Sequence, residues 1–178
     1  GKQYGLNNVV ITGTVNGEKQ QVARYTITAT ANPEEAGTVS VYPAGNEFDA
    51  GTELKFTAKK NFGYEFVNWT DAANNELGTE QTLNITLNAN TDIKANFNKL
   101  NTYSLDVTVN APGKDYMVSA TPAATVVEGK NMYEEGTKVT LTASSNKIVT
   151  FNSWSNGETA SELQLDMTEN KSLEANFS

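Results

Sequence analysis

The residues best suited by type to hold a ligand are three aromatic rings, Tyr42, Phe62 and Tyr64. Sugars stack their C–H faces on exposed tyrosine or tryptophan, whose amphipathic rings keep one edge in water. Two of the three belong to the stretch Phe62-Gly-Tyr-Glu-Phe-Val-Asn-Trp69, which also holds Phe66 and one of the 2 tryptophans of the chain. Further on, Phe151-Asn-Ser-Trp154 repeats the Phe-x-x-Trp spacing. A spacing kept twice while its neighbours change points to packing, so Phe66 and Trp69 are assigned to a core. An unbent strand puts residues three apart on opposite faces, so these rings share a core only across a bulge that shifts the register by one.

Other chemistry finds less support. Glycoside hydrolysis generally needs two carboxyl groups about 5 to 9.5 Å apart across a cleft. The 21 acidic residues are placed mostly at turns and strand edges, as at Glu34-Glu35, Asp49, Glu53, Glu134-Glu135 and Glu169, and no pair stands out. Elimination on uronic acids wants a strong cationic base, and the lone arginine, Arg24, falls in a polar connector. The chain has no histidine, the commonest general base and transition-metal ligand, and no cysteine for a disulfide or thiolate site. Asp71, Asn74, Asn75 and Glu76 offer hard oxygen ligands, but their spacing does not match a calcium-binding loop and a solvated loop is expected. No catalytic residue, metal or cofactor is therefore assigned. The triplets Asn68-Trp-Thr70, Asn84-Ile-Thr86 and Asn170-Lys-Ser172 fit glycosylation acceptors, and in a chain so rich in asparagine and threonine they carry no weight.

Charge and hydropathy narrow the partners. Net charge is −8 with 13 basic residues in no stripe, which argues against nucleic acid and against unassisted capture of polyanions such as pectin. No apolar run approaches the ~18 residues of a membrane-spanning helix. The chain opens on Gly1 without a signal segment, so a piece cut from a longer protein is expected.

The elements that must position these residues are strands. Tyr25 to Ala31 alternates Tyr25, Ile27, Ala29 and Ala31 with threonines, and the same period of two returns at Leu54, Phe56, Ala58 and at Leu83, Ile85, Leu87. Turn residues separate the runs, and no stretch sustains the helical period. Strands are predicted near 25–31, 38–42, 52–59, 63–69, 82–87 and 91–97. This set then recurs. Tyr25-Thr-Ile-Thr-Ala-Thr aligns with Tyr103-Ser-Leu-Asp-Val-Thr, and Thr38-Val-Ser-Val-Tyr-Pro43 aligns with Met117-Val-Ser-Ala-Thr-Pro122. Phe48-Asp-Ala-Gly-Thr-Glu-Leu aligns with Tyr133-Glu-Glu-Gly-Thr-Lys-Val, and both copies end in Ala-Asn-Phe. Length differences fall where loops are expected, after Pro122 in the second copy and after Trp69 in the first. In this alignment Tyr42, Phe62 and Tyr64 face Thr121, Lys147 and Val149, which makes them specific to the first copy.

The order of these segments resembles the divergent internalin-B-type repeat, found in tandem in secreted and surface proteins of bacteria. The resemblance implies a small β module that is usually non-catalytic. Ahead of it, Asn8-Val-Val-Ile-Thr-Gly-Thr-Val15 is similar to the closing strand of domains that precede such repeats in polysaccharide-degrading proteins of gut Bacteroidetes.

The fold expected is all-β: two tandem small antiparallel β repeat domains, 25–98 and 101–178, preceded by 1–24 as the terminal strand of an upstream domain plus a linker. The short connector 98–101 is expected to limit their relative motion. The expected role is a non-catalytic spacer or interaction module of a secreted or cell-surface protein, itself a polysaccharide lyase or hydrolase. A carbohydrate-binding module using Tyr42, Phe62 and Tyr64 is the alternative. Partners expected are a carbohydrate or a cell-surface protein, bound by a monomer.

Overall fold

A computed structural model describes residues 14–15, 18–19, 21–112, 115–145 and 148–178. The chain divides into two compact units, residues 1–99 and 100–178. At the start of the first, β1 (Thr14–Val15) pairs antiparallel with β2 (Glu18–Lys19). The rest of the leading strand expected from Asn8 lies outside the described residues. Part of the stretch expected as a polar connector is thus strand, and the sequence between the two pieces is Asn-Gly, the strongest short hairpin signal.

The first unit continues through β3 (Arg24–Asn32), a 3-10 turn at Glu34–Ala36, β4 (Gly37–Tyr42), β5 (Glu47–Asp49), β6 (Glu53–Lys60), β7 (Tyr64–Asp71), β8 (Glu76–Gly78), β9 (Thr82–Thr86) and β10 (Thr91–Lys99). The second runs through β11 (Thr102–Asn110), β12 (Tyr116–Thr121), β13 (Thr125–Val127), β14 (Lys130–Glu134), β15 (Lys138–Ser145), β16 (Phe151–Trp154), β17 (Glu162–Asp166) and β18 (Lys171–Phe177). Among the described residues there is no α-helix.

Each unit pairs a five-stranded sheet with a three-stranded one. In the first the orders are β5-β3-β10-β7-β8 and β4-β6-β9; in the second they are β13-β14-β11-β18-β16 and β12-β15-β17. Among the described residues pairing is antiparallel except in one place in each unit, where the strands that open and close the repeat, β3 with β10 and β11 with β18, run parallel and side by side. Ile27–Asn32 lies against Thr91–Asn96, and Leu105–Asn110 against Lys171–Asn176. A parallel neighbour cannot be reached by a tight turn. The rest of each unit is the long crossover between them.

Alternation explains the core. Tyr25 and Ile27 of β3, Leu54, Phe56 and Ala58 of β6, and Ile93, Ala95 and Phe97 of β10 are buried in one cluster with Trp69. Leu105, Val139, Leu141, Ala143, Leu173, Ala175 and Phe177 form the equivalent cluster around Trp154. The Gly-Thr shared by both copies makes a turn into the three-stranded sheet: Thr52 N–H donates to the Asp49 carbonyl at 3.2 Å and Thr137 N–H to Glu134 at 3.1 Å. The residue before the threonine, Gly51 in one and Gly136 in the other, has φ of 83° and 79°. Type II turns require that left-handed position, which is why glycine stands there.

Candidate functional site

The Phe-x-x-Trp rings are core residues joined across a bulge. Along β10, Ala95 faces Trp69, Asn96 faces Asn68, and Phe97 faces Phe66, so Val67 is the extra residue on β7. In the second unit Ala175 faces Trp154, Asn176 faces Ser153 and Phe177 faces Phe151, leaving Asn152 over. The shift brings Phe66 to 5.6 Å from Trp69 and 5.7 Å from Phe97 between ring centres. The matching distances around Phe151 are 5.3 and 5.4 Å. Both indoles donate to a backbone carbonyl, Trp69 Nε1 to Glu80 at 2.8 Å and Trp154 Nε1 to Ala160 at 2.9 Å. A fully buried tryptophan needs such a partner.

The three candidate rings of the first unit do not come together. Tyr42, at the end of β4, faces Lys55 across the β4–β6 pair, whereas the other end of that pair is Gly37 opposite Lys60. Phe62 lies in the turn just after Lys60 and Tyr64 opens β7. Five strand positions, roughly 17 Å, separate the two ends of the ladder. Tyr42 is 75% exposed, while Tyr64 packs against the core. A sugar-stacking surface here would have to use Tyr42 at one end or Phe62 at the other.

Tyr64 also has a spatial counterpart that alignment hides. In the first unit a Cβ added to Gly37 would stand 2.6 Å from the tip of the Phe97 ring and 2.5 Å from the Lys59 carbonyl. The equivalent position of the second unit holds Tyr116, whose ring lies 5.3 Å from Phe177 and packs against the core. Conversely, where the first unit has Tyr64 the second has buried Val149. Each unit thus packs a tyrosine against its core where the other has none, Tyr64 of β7 in one and Tyr116 of β12 in the other.

The polar candidates are committed to local structure. Asp71 accepts from Ala73 N–H at 2.9 Å, Asn75 N–H at 2.8 Å and the Asn75 side chain at 2.9 Å. The Asn75 side-chain hydrogen bond, then its backbone one, holds the Asp71 carboxyl below its ordinary pKa, against a smaller opposing desolvation. Glu76 accepts from Asn68 Nδ2 at 2.8 Å. Among the described residues no group of three or more acidic side chains is arranged to hold a metal ion. Arg24, expected in a connector, is the first residue of β3 and lies 3.6 Å from both Glu47 and Asp49 on β5. In the second unit burial pushes the Tyr133 phenol up, and it donates to the Pro122 carbonyl at 3.0 Å.

A sequence model described as the divergent InlB B-repeat domain matches residues 25–101 and 116–178, most of the chain and the larger part of each unit. The chain belongs to the divergent InlB B-repeat family. No curated protein matches it.

Within this pair of InlB B-repeats, the second carries a concavity that sequence reasoning missed. A cleft of 460 Å³ opens between its sheets, lined among others by Val107 and Val109 of β11, Val118 and Ala120 of the edge strand β12, and Leu141. At two of these positions the first repeat has larger side chains, Val41 for Ala120 and Phe56 for Leu141, whereas Ala29 and Ala31 stand for Val107 and Val109. A Phe56 that becomes Leu141 was the available signal. The asparagines were missed as well. Asn90 and Asn170, one of them in a discounted glycosylation triplet, each cap the parallel strand pair: Asn90 Oδ1 accepts from Thr26 N–H at 3.0 Å and Asn170 Oδ1 from Ser104 N–H at 2.8 Å. Their equal place in the two repeats was legible in the alignment.

Proposed function

We propose that this pair of repeats is a non-catalytic spacer or interaction module of a larger secreted or cell-surface bacterial protein, one that acts on polysaccharide as a lyase or hydrolase. The observation that carries the reading is the parallel pairing of first and last strands. Because β3 and β10 point the same way, the chain enters a unit at one end of the sheet and leaves at the other. β11 and β18 repeat the arrangement. At about 3.3 Å per residue, a nine-residue strand advances the chain by roughly 25 to 30 Å. A β unit that returned its chain to the starting point would add bulk without reach.

The mechanism is geometric: the module sets distance and orientation for whatever it joins and transforms nothing itself. Replacing residues 25–178 of the parent protein by a flexible Gly/Ser chain tests it. Turnover of a soluble substrate should be unchanged, while turnover of an immobilised one should fall. The reading is overturned if the purified 178-residue chain cleaves polysaccharide itself. Saturable binding of pectin, glucan or mannan that disappears in Tyr42→Ala would replace it with the carbohydrate-binding alternative.

A further inference from the structure

Tension along the chain has a defined path through each unit. The N-terminal strand would be drawn backwards along its axis and the C-terminal strand forwards, and these are the two strands that lie parallel and adjacent. The load therefore acts as shear on their ladder. In shear the cross-strand hydrogen bonds share the load and must fail together; a ladder pulled apart from one end gives way one bond at a time. The strands between them, β4 to β9 in the first unit and β12 to β17 in the second, lie off the direct path.

The ladder is closed at both ends by asparagines in equivalent places. Where the chain enters, Asn90 Oδ1 accepts from the Thr26 amide and from Thr26 Oγ1, the latter at 3.3 Å, and Asn170 Oδ1 accepts from the Ser104 amide. Where it leaves, Asn32 Nδ2 donates to Asn96 Oδ1 at 2.9 Å and Asn110 Nδ2 to Asn176 Oδ1 at 3.2 Å. Asn96 also donates to Asn68 Oδ1 at 2.9 Å and Thr70 Oγ1 at 3.0 Å, tying β7 to the same end. Asn90 and Asn170 extend the ladder beyond the first strand residue, and the Asn32–Asn96 and Asn110–Asn176 side chains add a second link across its last pair; both resist sliding along the axis. The added strands of the two units, β8 and β13, sit at the outer edges of their sheets, away from the loaded pair.

We infer that each unit is a force-bearing clamp, in which the parallel first and last strands with their asparagine ends hold the module folded under tension. It rests on the spacer reading only for the origin of the tension. The chain has no native cysteine, so introduced pairs serve as unique handles in single-molecule pulling of the whole chain. Gln21→Cys with Lys99→Cys loads the first unit in shear, whereas Gln21→Cys with Ala89→Cys pulls both strands from the same end.

Rupture force is expected to be several-fold higher in the first geometry, with equal urea midpoints for the two variants. Adding Asn96→Ala, at the end remote from Gln21 and Ala89, should lower the shear force and leave the force from the same-end geometry nearly unchanged. Forced unfolding reports the barrier along the pulled direction, which equilibrium stability does not. Equal forces in the two geometries would overturn the clamp, and an unchanged shear force in the Asn96 variant would remove that asparagine end from it. Neither result touches the spacer reading, which the linker replacement tests separately.

Discussion

The two repeats keep the same four-strand centre in the larger sheet and differ at its edges. In the first, the additional residues after Trp69 form the β7–β8 hairpin; in the second, the additional residues after Pro122 form β13–β14. The extra strand is thus added on one side of the sheet in one unit and on the opposite side in the other. Both regions were expected as loops. Each lengthens a strand that already has a free edge, where new backbone pairs cost no existing contact. After its detour, the first unit returns to the same anchors as the second: Gln81 and Ser161 carbonyls accept from Ala58 and Ala143, and the preceding carbonyls accept from the indoles. Interior positions vary by exchange instead, as the Gly37–Tyr64 and Tyr116–Val149 pairs show. An edge tolerates insertion, whereas a packed interior tolerates only compensation.

The most severe way to break the likeness is to remove a tryptophan. Trp69→Ala and Trp154→Ala should each cost about 3–5 kcal/mol in the unit that loses the ring. Each variant keeps the other tryptophan as a fluorescence reporter of the intact unit. In urea the reporter's midpoint should be unchanged, while far-ultraviolet dichroism shows an earlier transition for the damaged half. A shift in both would mean that the cores are not independent.

The exchanged tyrosines give a sharper comparison at smaller cost. Gly37→Tyr should destabilise the first unit by about 1–3 kcal/mol through overpacking against the Lys59 carbonyl and Phe97. Adding Tyr64→Val should recover part of that loss, a coupling between sites that share one space. Strict additivity in denaturation midpoints would show that the two tyrosines do not substitute for each other.

Asn90→Ala and Asn170→Ala should each cost about 1 kcal/mol per hydrogen bond lost, somewhat more for Asn90, which also accepts from the Thr26 hydroxyl. Hydrogen exchange at the Thr26 and Ser104 amides reads the loss directly. The smallest effect separates the units by acidity. The Asp71 pKa is depressed in the folded state, so its contribution is present above the unfolded-state value and is lost as pH falls through the folded one. Acidification below about pH 4 should expose the Ala73 and Asn75 amides to exchange, and Asp71→Asn should abolish that pH dependence. The second unit lacks this loop and should show no such step.

Much of this molecule is settled by local pattern. Period-two alternation in a chain without helical periodicity leaves little but strands, and the six predicted for the first repeat are there within a residue or two. Packing the partly buried Phe66 against the buried Trp69 required a bulge, because the side-chain period of a strand is two and their spacing is three. Duplication, and with it the matching cores, was visible in the order of segments. Three features were decided only by tertiary structure: the parallel union of first and last strands, the distance between Tyr42 and Phe62, and the exchange of Tyr64 for Tyr116. Each depends on which distant positions come to face one another, and a strand's own residues specify its faces without naming its neighbour.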